Sequence, residues 1–433
     1  MWDLSSMCGL SCLQLIRATA RSVAFIYALT IGVAAAQTAS ALPAPLSLGD
    51  VIRIARENRS EVAALSARAD ALSQRPAIVG ALEDPMLSPA IDHYPFKMME
   101  GEENGRRYDW SIAVEQRFPL SGVLGHRRRA ARAEAERANA AVASGQLDVS
   151  LAAQRAFFMV HERRQMALVL NEQLSLAQQL VSAASARYSS GTGMQADVLR
   201  AEVEVARTQA TQQSLVAQLR AAEAMLNVNL GRQPEAGIPA LDYAVRRDEP
   251  LASGAVSAQA LTKRPELQAG AAEVERASAE IDVMRSMYLP MATVRVGRAS
   301  TMAEGPGAMI MVGVSVPIWR ERLHAGVAEA KAMERMANAD LQAMQLMIAG
   351  EAVEAREGVI AARTQMTMLE TQIIPRARAA VDASLAGYRA GQGSLVSVIE
   401  SSRALWEVRA ELVMAETALS DAWAKLARAS GQQ

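Results

Sequence analysis

Apolar and polar positions alternate from Tyr108 to Phe118. Trp110, Ile112, Val114 and Phe118 fall on one face, and Asp109, Ser111, Ala113, Glu115 and Arg117 on the other, with Gln116 the exception. A period of two predicts a strand with one apolar and one charged face. The run is about as long as a tilted membrane-spanning strand, roughly 9 to 11 residues. A weaker strand, Met86 to Tyr94, precedes it and is interrupted by Pro89; the polar, Gly-containing stretch Pro95 to Arg107 between them reads as an exposed loop. Two more strands follow far downstream, at 291–300 and 308–318, and Ile310, Val312, Val314 and Val316 line one face of the second.

The rest of the pattern is helical. From Leu46 to Leu72 the apolar residues Leu48, Val51, Ile52 and Ala55 recur at i, i+3, i+4 and i+7, with Ser47 placed to cap the start. Pro76, Pro85, Pro89 and Pro95 then break the pattern. From Val123 to Tyr188 runs an almost unbroken stretch of helix formers, about 100 Å long at 1.5 Å per residue. "YSSGTG" ends it, and a second helix continues from Gln195 to Leu230. The same order then repeats: a helix over Ala260 to Pro290, the strand pair, a long helix from Arg320 to Tyr388, "RAGQG", and a last helix from Leu395 to Ala429.

The turns repeat residue by residue. Tyr188, Gly191, Gly193 and Val198 recur as Tyr388, Gly391, Gly393 and Val398. A period near 200 residues predicts an internal duplication: residues 42–240 with a turn at 188–194, and 241–433 with a turn at 388–394. The fold class is mainly α with a small β part.

Composition narrows the setting. Arg17 and Arg21, the apolar run Val23 to Ala36 and the small-residue site Ala39-Ser40-Ala41 predict a secretory signal peptide over residues 1–41. The only cysteines, Cys8 and Cys12, lie inside it, so the expected mature chain has no disulfide, thiol nucleophile or thiolate metal ligand. A net charge of -1 gives no field for nucleic acid. No second uncharged apolar run reaches helix-spanning length, so a membrane role must come from strands closed into a barrel. Four strands cannot close around a lumen; twelve, from three copies, can. The charged positions Asp109, Glu115, Arg117 and Arg295 would then face an aqueous lumen. Trp110, Ile112, Val114, Ile310, Val312, Val314 and Val316 would meet lipid.

At this point the chain resembles the TolC-type outer-membrane efflux factors. The opening "LSLGDVIRIARENRSEV", its echo "ALTKRPEL", and the two Tyr-x-x-Gly stretches leading into Asp197-Val198-Leu199 and Val398-Ile399-Glu400 carry the resemblance, over about Leu46 to Ser430. It implies a homotrimer with a 12-stranded β-barrel in the outer membrane of a Gram-negative bacterium and a long α-helical barrel through the periplasm. The implied partners are a periplasmic adaptor and an inner-membrane pump. "DPMLSPAID" and "VEQRFPLSGVLGHRRRAARAEAE" look most like the heavy-metal branch, which works with resistance-nodulation-division pumps; Gly122-Val123-Leu124-Gly125 departs from the Gly-Lys common there.

The candidate chemistry is positional. "GTGMQA" matches a dinucleotide fingerprint in letters, but it follows a helix and not a strand, so it reads as a helix-to-helix turn. By the resemblance, Tyr188, Gly191, Gly193, Tyr388, Gly391 and Gly393 mark the periplasmic tip and its adaptor contact. Asp197 and Glu400, just past the turns, are candidates for acidic rings in a trimer; a first-turn dipole partner is the other reading of Asp197. His93, His126, His161 and His324 lack metal-site spacing, and the 22 methionines read as gap fillers. No catalytic motif, cofactor site or metal site is predicted. The resulting expectation is a passive exit duct of a tripartite efflux system, with heavy-metal cations among its cargoes. The alternatives are the exit duct of a type I secretion system and, in another class, a soluble periplasmic coiled-coil adaptor without lipid-facing strands.

Overall fold

The computed structural model of the chain describes residues 42–92, 108–301 and 304–432. The signal segment 1–41, His93 and the loop from Pro95 to Arg107 lie outside the described residues. Contacts separate residues 1–44 from a unit of residues 45–433, and the fold is that of the second unit.

Its first half comprises β1 (Leu46–Ser47), α1 (Leu48–Asn58), α2 (Ser60–Val79), β2 (Met86–Asp92), β3 (Asp109–Pro119), α3 (Val123–Ser189) and α4 (Gln195–Asn229). The second comprises β4 (Leu241–Asp242), α5 (Ser253–Lys263), α6 (Pro265–Ser286), β5 (Met291–Thr301), β6 (Gly305–Ser315), α7 (Arg320–Met368), a π-helical turn (Leu369–Ile373), α8 (Ile374–Arg389) and α9 (Leu395–Ala429).

Ser47 does cap α1, its Oγ accepting from the Asp50 N–H at 3.2 Å. The helix expected over Leu46 to Leu72 breaks at Arg59, which is extended (φ -72, ψ 120). The second opening helix breaks in the same way at Arg264 (φ -69, ψ 121). Pro76 does not end α2, contrary to the expectation from sequence. It lies in the last turn, where one backbone donor is lost, and falls seven residues after Ala69 and fourteen after Val62 on the stripe packed against α3.

The four long strands form an antiparallel sheet in the order β2-β3-β5-β6, so the halves meet at the β3–β5 pair. The β6 strand begins and ends three residues earlier than its alternation predicts. Gly305, at φ 77, turns the chain into it, and pairing runs from Thr301↔Gly305 to Met291↔Ser315. Gly305 and Gly307 masked the strand's start, and Pro317 cannot donate to a ladder. Val316 therefore lies just beyond the strand, still exposed.

The helices form one layer. Near the sheet the lateral order is α2, α3, α6, α7; towards the turns it is α4, α3, α9 and then α7 with α8. Helix α3 spans the whole distance with 67 residues, about 100 Å. Buried positions recur every seven residues, as at Ala352, Val359 and Met366, the spacing of left-handed supercoiled packing. Sheet and turns thus lie at opposite ends of α3.

Candidate functional site

The two turns share one geometry. Gly191 and Gly391 have φ of 75 and 76, a left-handed conformation that side-chained residues resist. Each donates its N–H to the carbonyl of the preceding tyrosine, at 3.0 and 3.1 Å. The next N–H in each case, on Thr192 or Gln392, reaches back to Arg187 or Gly387 at 2.9 Å, satisfying the helix end. A Cβ on Gly193 or Gly393 would sit about 3.1 Å from the tyrosine nitrogen, so the chain crosses too closely for a side chain. The repeated Tyr-x-x-Gly-x-Gly is the sequence of this turn.

The side chains around the turns are not equivalent. Tyr388 is buried at 3% exposure in a cluster with Leu180, Ala184, Leu395 and Val398, whereas Tyr188 is 49% exposed. Burial pushes the Tyr388 hydroxyl above the ordinary phenol value, and this hydroxyl has no hydrogen-bond partner. Arg187 crosses from one hairpin to the other: it lies over the Tyr388 ring, 4.7 Å from the centroid, and donates to its carbonyl. Its counterpart in the second turn is Gly387, which carries no such group.

Asp197 lies in the first turn of α4 and pairs with Arg200 at 3.6 Å. Glu400 is exposed and lines a groove of about 440 Å³ between α4 and α9, floored by Leu199, Val203 and Val396. With the glycines aligned, Asp197 corresponds to Ser397 and Glu400 to Arg200, so the two carboxylates occupy different places in the repeat. The groove also carries the Glu204–Arg403 ion pair, which joins α4 to α9. Glu172–Arg409 joins α3 to α9 further along. The sequence pattern did not single out Arg187, Glu204 or Arg403; the visible signal was the loss of the Arg187 counterpart at Gly387.

At the other end the sheet separates its residues by register. Glu115 pairs with Arg295 and Arg295 with Met311, so these share a face with Asp109 and Arg117. On that face Ala113 is 1% exposed, Arg295 donates to Ser88 Oγ at 3.3 Å, and Arg117 lies 3.7 Å from Glu115. Trp110, Ile112, Val114, Ile310, Val312 and Val314 share the opposite face. All six are exposed, Ile310 by 73% and Val312 by 67%. An antiparallel sheet that turns its valines and isoleucines outward and half-covers its charged face inverts the arrangement of a water-soluble sheet. A soluble coiled-coil adaptor does not predict such a sheet.

Among the described residues, no helix is long and apolar enough to cross a membrane, and no group of three or more His, Cys, Asp or Glu side chains is placed to hold a metal. His161 packs against Tyr243 with centroids 5.2 Å apart, and burial, then Arg164, lowers its pKa from the ordinary histidine value. His324 Nδ1 lies 3.1 Å from the Tyr288 hydroxyl.

Comparison with known proteins agrees with this geometry. The sequence model of the outer membrane efflux protein family matches twice, over residues 51–232 and 256–432. The chain is 27% identical over 393 residues to the pyoverdine export outer membrane protein OpmQ of Pseudomonas putida, covering 84% of this chain and 81% of that protein. It is 24% identical over 313 residues to the cobalt-zinc-cadmium resistance protein CzcC of Cupriavidus metallidurans, covering 71% and 74%. Its fold matches the crystal structure of CusC with a TM-score of 0.76, at 16% identity, over 89% of this chain and 92% of that one.

Proposed function

The chain belongs to the outer membrane efflux protein family, and we propose that three copies of it close into one passive exit duct. It is the outer-membrane channel of a tripartite efflux system in a Gram-negative bacterium, reaching into the periplasm, and it is not an enzyme.

One observation carries the assembly: every layer leaves one edge from each half of the chain open. The sheet ends in β2 and β6, the upper helices in α2 and α7, and the lower helices in α4 and α8. A second copy that pairs β6 with β2 therefore also sets α7 beside α2. Such head-to-tail contacts make a closed ring only when the rotation closes. Three copies bring twelve strands, a number that closes around an open lumen. The halves 42–240 and 241–433 are then copies of one ancestral unit, a reading supported by the repeated element order and the double family match.

In this ring Trp110, Ile112, Val114, Ile310, Val312, Val314 and Val316 meet lipid. Asp109, Glu115, Arg117 and Arg295 line the lumen. The turns at 188–194 and 388–394 form the periplasmic mouth, where a periplasmic adaptor linked to an inner-membrane resistance-nodulation-division pump makes contact. The pump supplies the energy; the duct supplies a path. Glu400 repeats three times around the axis as an acidic ring, and Asp197 forms a second one moderated by Arg200.

Two cargo classes follow from the relatives. The name of CzcC supports heavy-metal cations. The name of OpmQ supports pyoverdine. Expression in a strain deleted for its own outer-membrane channel, followed by survival on zinc or cadmium and by pyoverdine release, separates them. Native mass spectrometry of the membrane-extracted protein tests the ring: a monomer or dimer as the only species rejects it.

A further inference from the structure

The first long helix runs unbroken for 67 residues, but its counterpart is interrupted at Leu369–Ile373 by a π-helical turn. There the Ile374 N–H donates to Leu369 O, an i→i−5 bond. Pro375 follows at once and has no N–H to give. The wider turn relieves the clash of its ring with the carbonyl four residues back. A π turn also adds one residue to the helical phase. The buried stripe reads Ala352, Val359, Met366, then Val381 and Tyr388. From Met366 to Val381 is two heptads plus one residue. Without the extra residue the stripe would fall on Ala380 and Gly387. The π turn therefore sets Tyr388 in the core under Arg187.

The turn is held from outside the helix. Arg247, in the stretch between β4 and α5, makes a two-pronged pair with Glu370 inside the π turn, both bonds 2.9 Å. The same guanidinium lies 3.9 Å from Glu416 on α9. The strap is anchored on either side. Arg246 stacks on Trp423 at 3.9 Å, and Arg356 donates to Leu251 O at 2.7 Å. Isolated surface ion pairs contribute little, but two-pronged pairs within a network are the exception.

We propose that Arg247 is a clasp that pins the π turn, and that the β4–α5 segment thereby controls the phase of α8 and the burial of Tyr388, about 27 Å away along the helix. Releasing the clasp frees the extra residue to migrate and lets α8 rotate against α9. The inference rests on the fold of a single chain and does not depend on how copies assemble.

The test uses the full chain with Cys8 and Cys12 replaced by serine and single cysteines introduced at Val381 or Val359. In Arg247→Gln or Glu370→Gln, V381C should react with a maleimide faster by roughly two- to fivefold, the range of one exposed ion pair. The double variant should do no more than either single. V359C, on the other side of the π turn, should stay protected. An unchanged V381C, or a V359C accelerated equally, overturns the proposal. If V381C does not fold, spin labels at Thr192 and Gln392 report the same event: their separation broadens in Arg247→Gln, and an unchanged separation overturns the clasp. A last variant removes Thr371 and carries Pro375→Ala. Fourteen residues then separate Met366 from Val381, so a continuous α-helix keeps the stripe in phase. In that chain Arg247→Gln should have no effect on labelling at the Val381 site, and a persistent effect overturns the mechanism.

Discussion

Arg187 ends one long helix and covers the ring of Tyr388 at the end of the other, 4.7 Å from its centroid, while donating to the Tyr388 carbonyl. This one side chain ties the two hairpin ends of a chain together. Stacking of a partly desolvated guanidinium on a ring contributes about 1 to 2 kcal/mol, and the charged hydrogen bond adds to it. Arg187→Ala should therefore destabilise the hairpin junction by about 2 kcal/mol, and spin labels at Thr192 and Gln392 should separate. Tyr388→Phe should be close to neutral, because the hydroxyl it removes has no partner. A large loss in Tyr388→Phe would show that the hydroxyl has a role the packing does not reveal.

The glycines give a sharper contrast. Gly191→Ala and Gly391→Ala place a side chain at φ near 75, at a cost of about 1 to 2 kcal/mol each. Gly237→Ala, in the linker, meets no atom within 4 Å and does not have a left-handed backbone. Thermal unfolding of the three variants side by side should order them with Gly237→Ala nearest the parent. Equal melting temperatures for all three would contradict the turn geometry.

These turns and the sheet faces were legible in the sequence because their signals are local. A period of two sorted Trp110, Ile112 and Val114 from Glu115 and Arg117 without any knowledge of pairing. A positive-φ turn calls for glycine, and the glycines stood in the same place twice. What stayed hidden needed information from elsewhere in the chain. The break at Arg59 lies inside the polar run Arg56 to Glu61, with no proline or glycine to mark it. Gly305 and Gly307 lowered the apparent strand content of β6, although their partners Thr301 and Ala299 hold them in the ladder. The π turn shows only when the heptads on both sides of Pro375 are counted against each other. Glu204–Arg403 and Arg247–Glu370 join residues 199 and 123 apart in sequence, and no pattern within one helix announces them.

A partly buried ion network makes the helices near the sheet acid-sensitive. Glu266 opens α6 and accepts from Arg264 at 2.9 Å, from Ser144 at 2.8 Å and from Arg428 at 2.6 Å. Burial alone would raise its pKa, but the hydrogen bonds from Arg264 and Ser144 and the charge of Arg428 win and hold it at about 2. The folded value is below the unfolded one, so this stabilisation is fully present above about pH 4.5 and is lost as pH falls towards 2. Its upper bound is about 3 kcal/mol, from 1.36 kcal/mol per pKa unit. Urea unfolding of Glu266→Gln should show a loss of that order at pH 7 that shrinks as the pH is lowered through 4. A constant difference across that range would assign the loss to packing and not to charge.

Glu400 and Asp197 separate by their partners. Asp197 is paired with Arg200 within its own helix, whereas Glu400 stands exposed on the wall of the α4–α9 groove. In bilayer recordings Glu400→Gln should reduce cation over anion selectivity, because a ring of three carboxylates at a constriction attracts cations. Asp197→Asn should do less, since Arg200 already offsets its charge. Unchanged selectivity in Glu400→Gln removes the ring.

The sheet itself decides between a membrane wall and a water-exposed surface. Val312 and Arg295 lie on adjacent strands but on opposite faces, because the register pairs Val294 with Val312 and Arg295 with Met311. If the valine face meets lipid, Val312→Lys puts a charge near the middle of an apolar band and costs about 2 to 4 kcal/mol. The same lysine at Thr293, one residue before Val294 and therefore on the Arg295 face, enters an aqueous lumen and should cost little. Both substitutions introduce the same lysine, Thr293 on the inner strand β5 and Val312 on the edge strand β6 that the ring pairs with β2 of the next copy. A soluble sheet predicts the reverse order, since Val312 is already 67% exposed and a lysine there would simply be solvated. Insertion into outer-membrane vesicles, read as resistance of the strands to protease, should fall for Val312→Lys and hold for Thr293→Lys. Equal insertion of the two would mean that the valine face does not contact lipid, and the barrel would have to be abandoned.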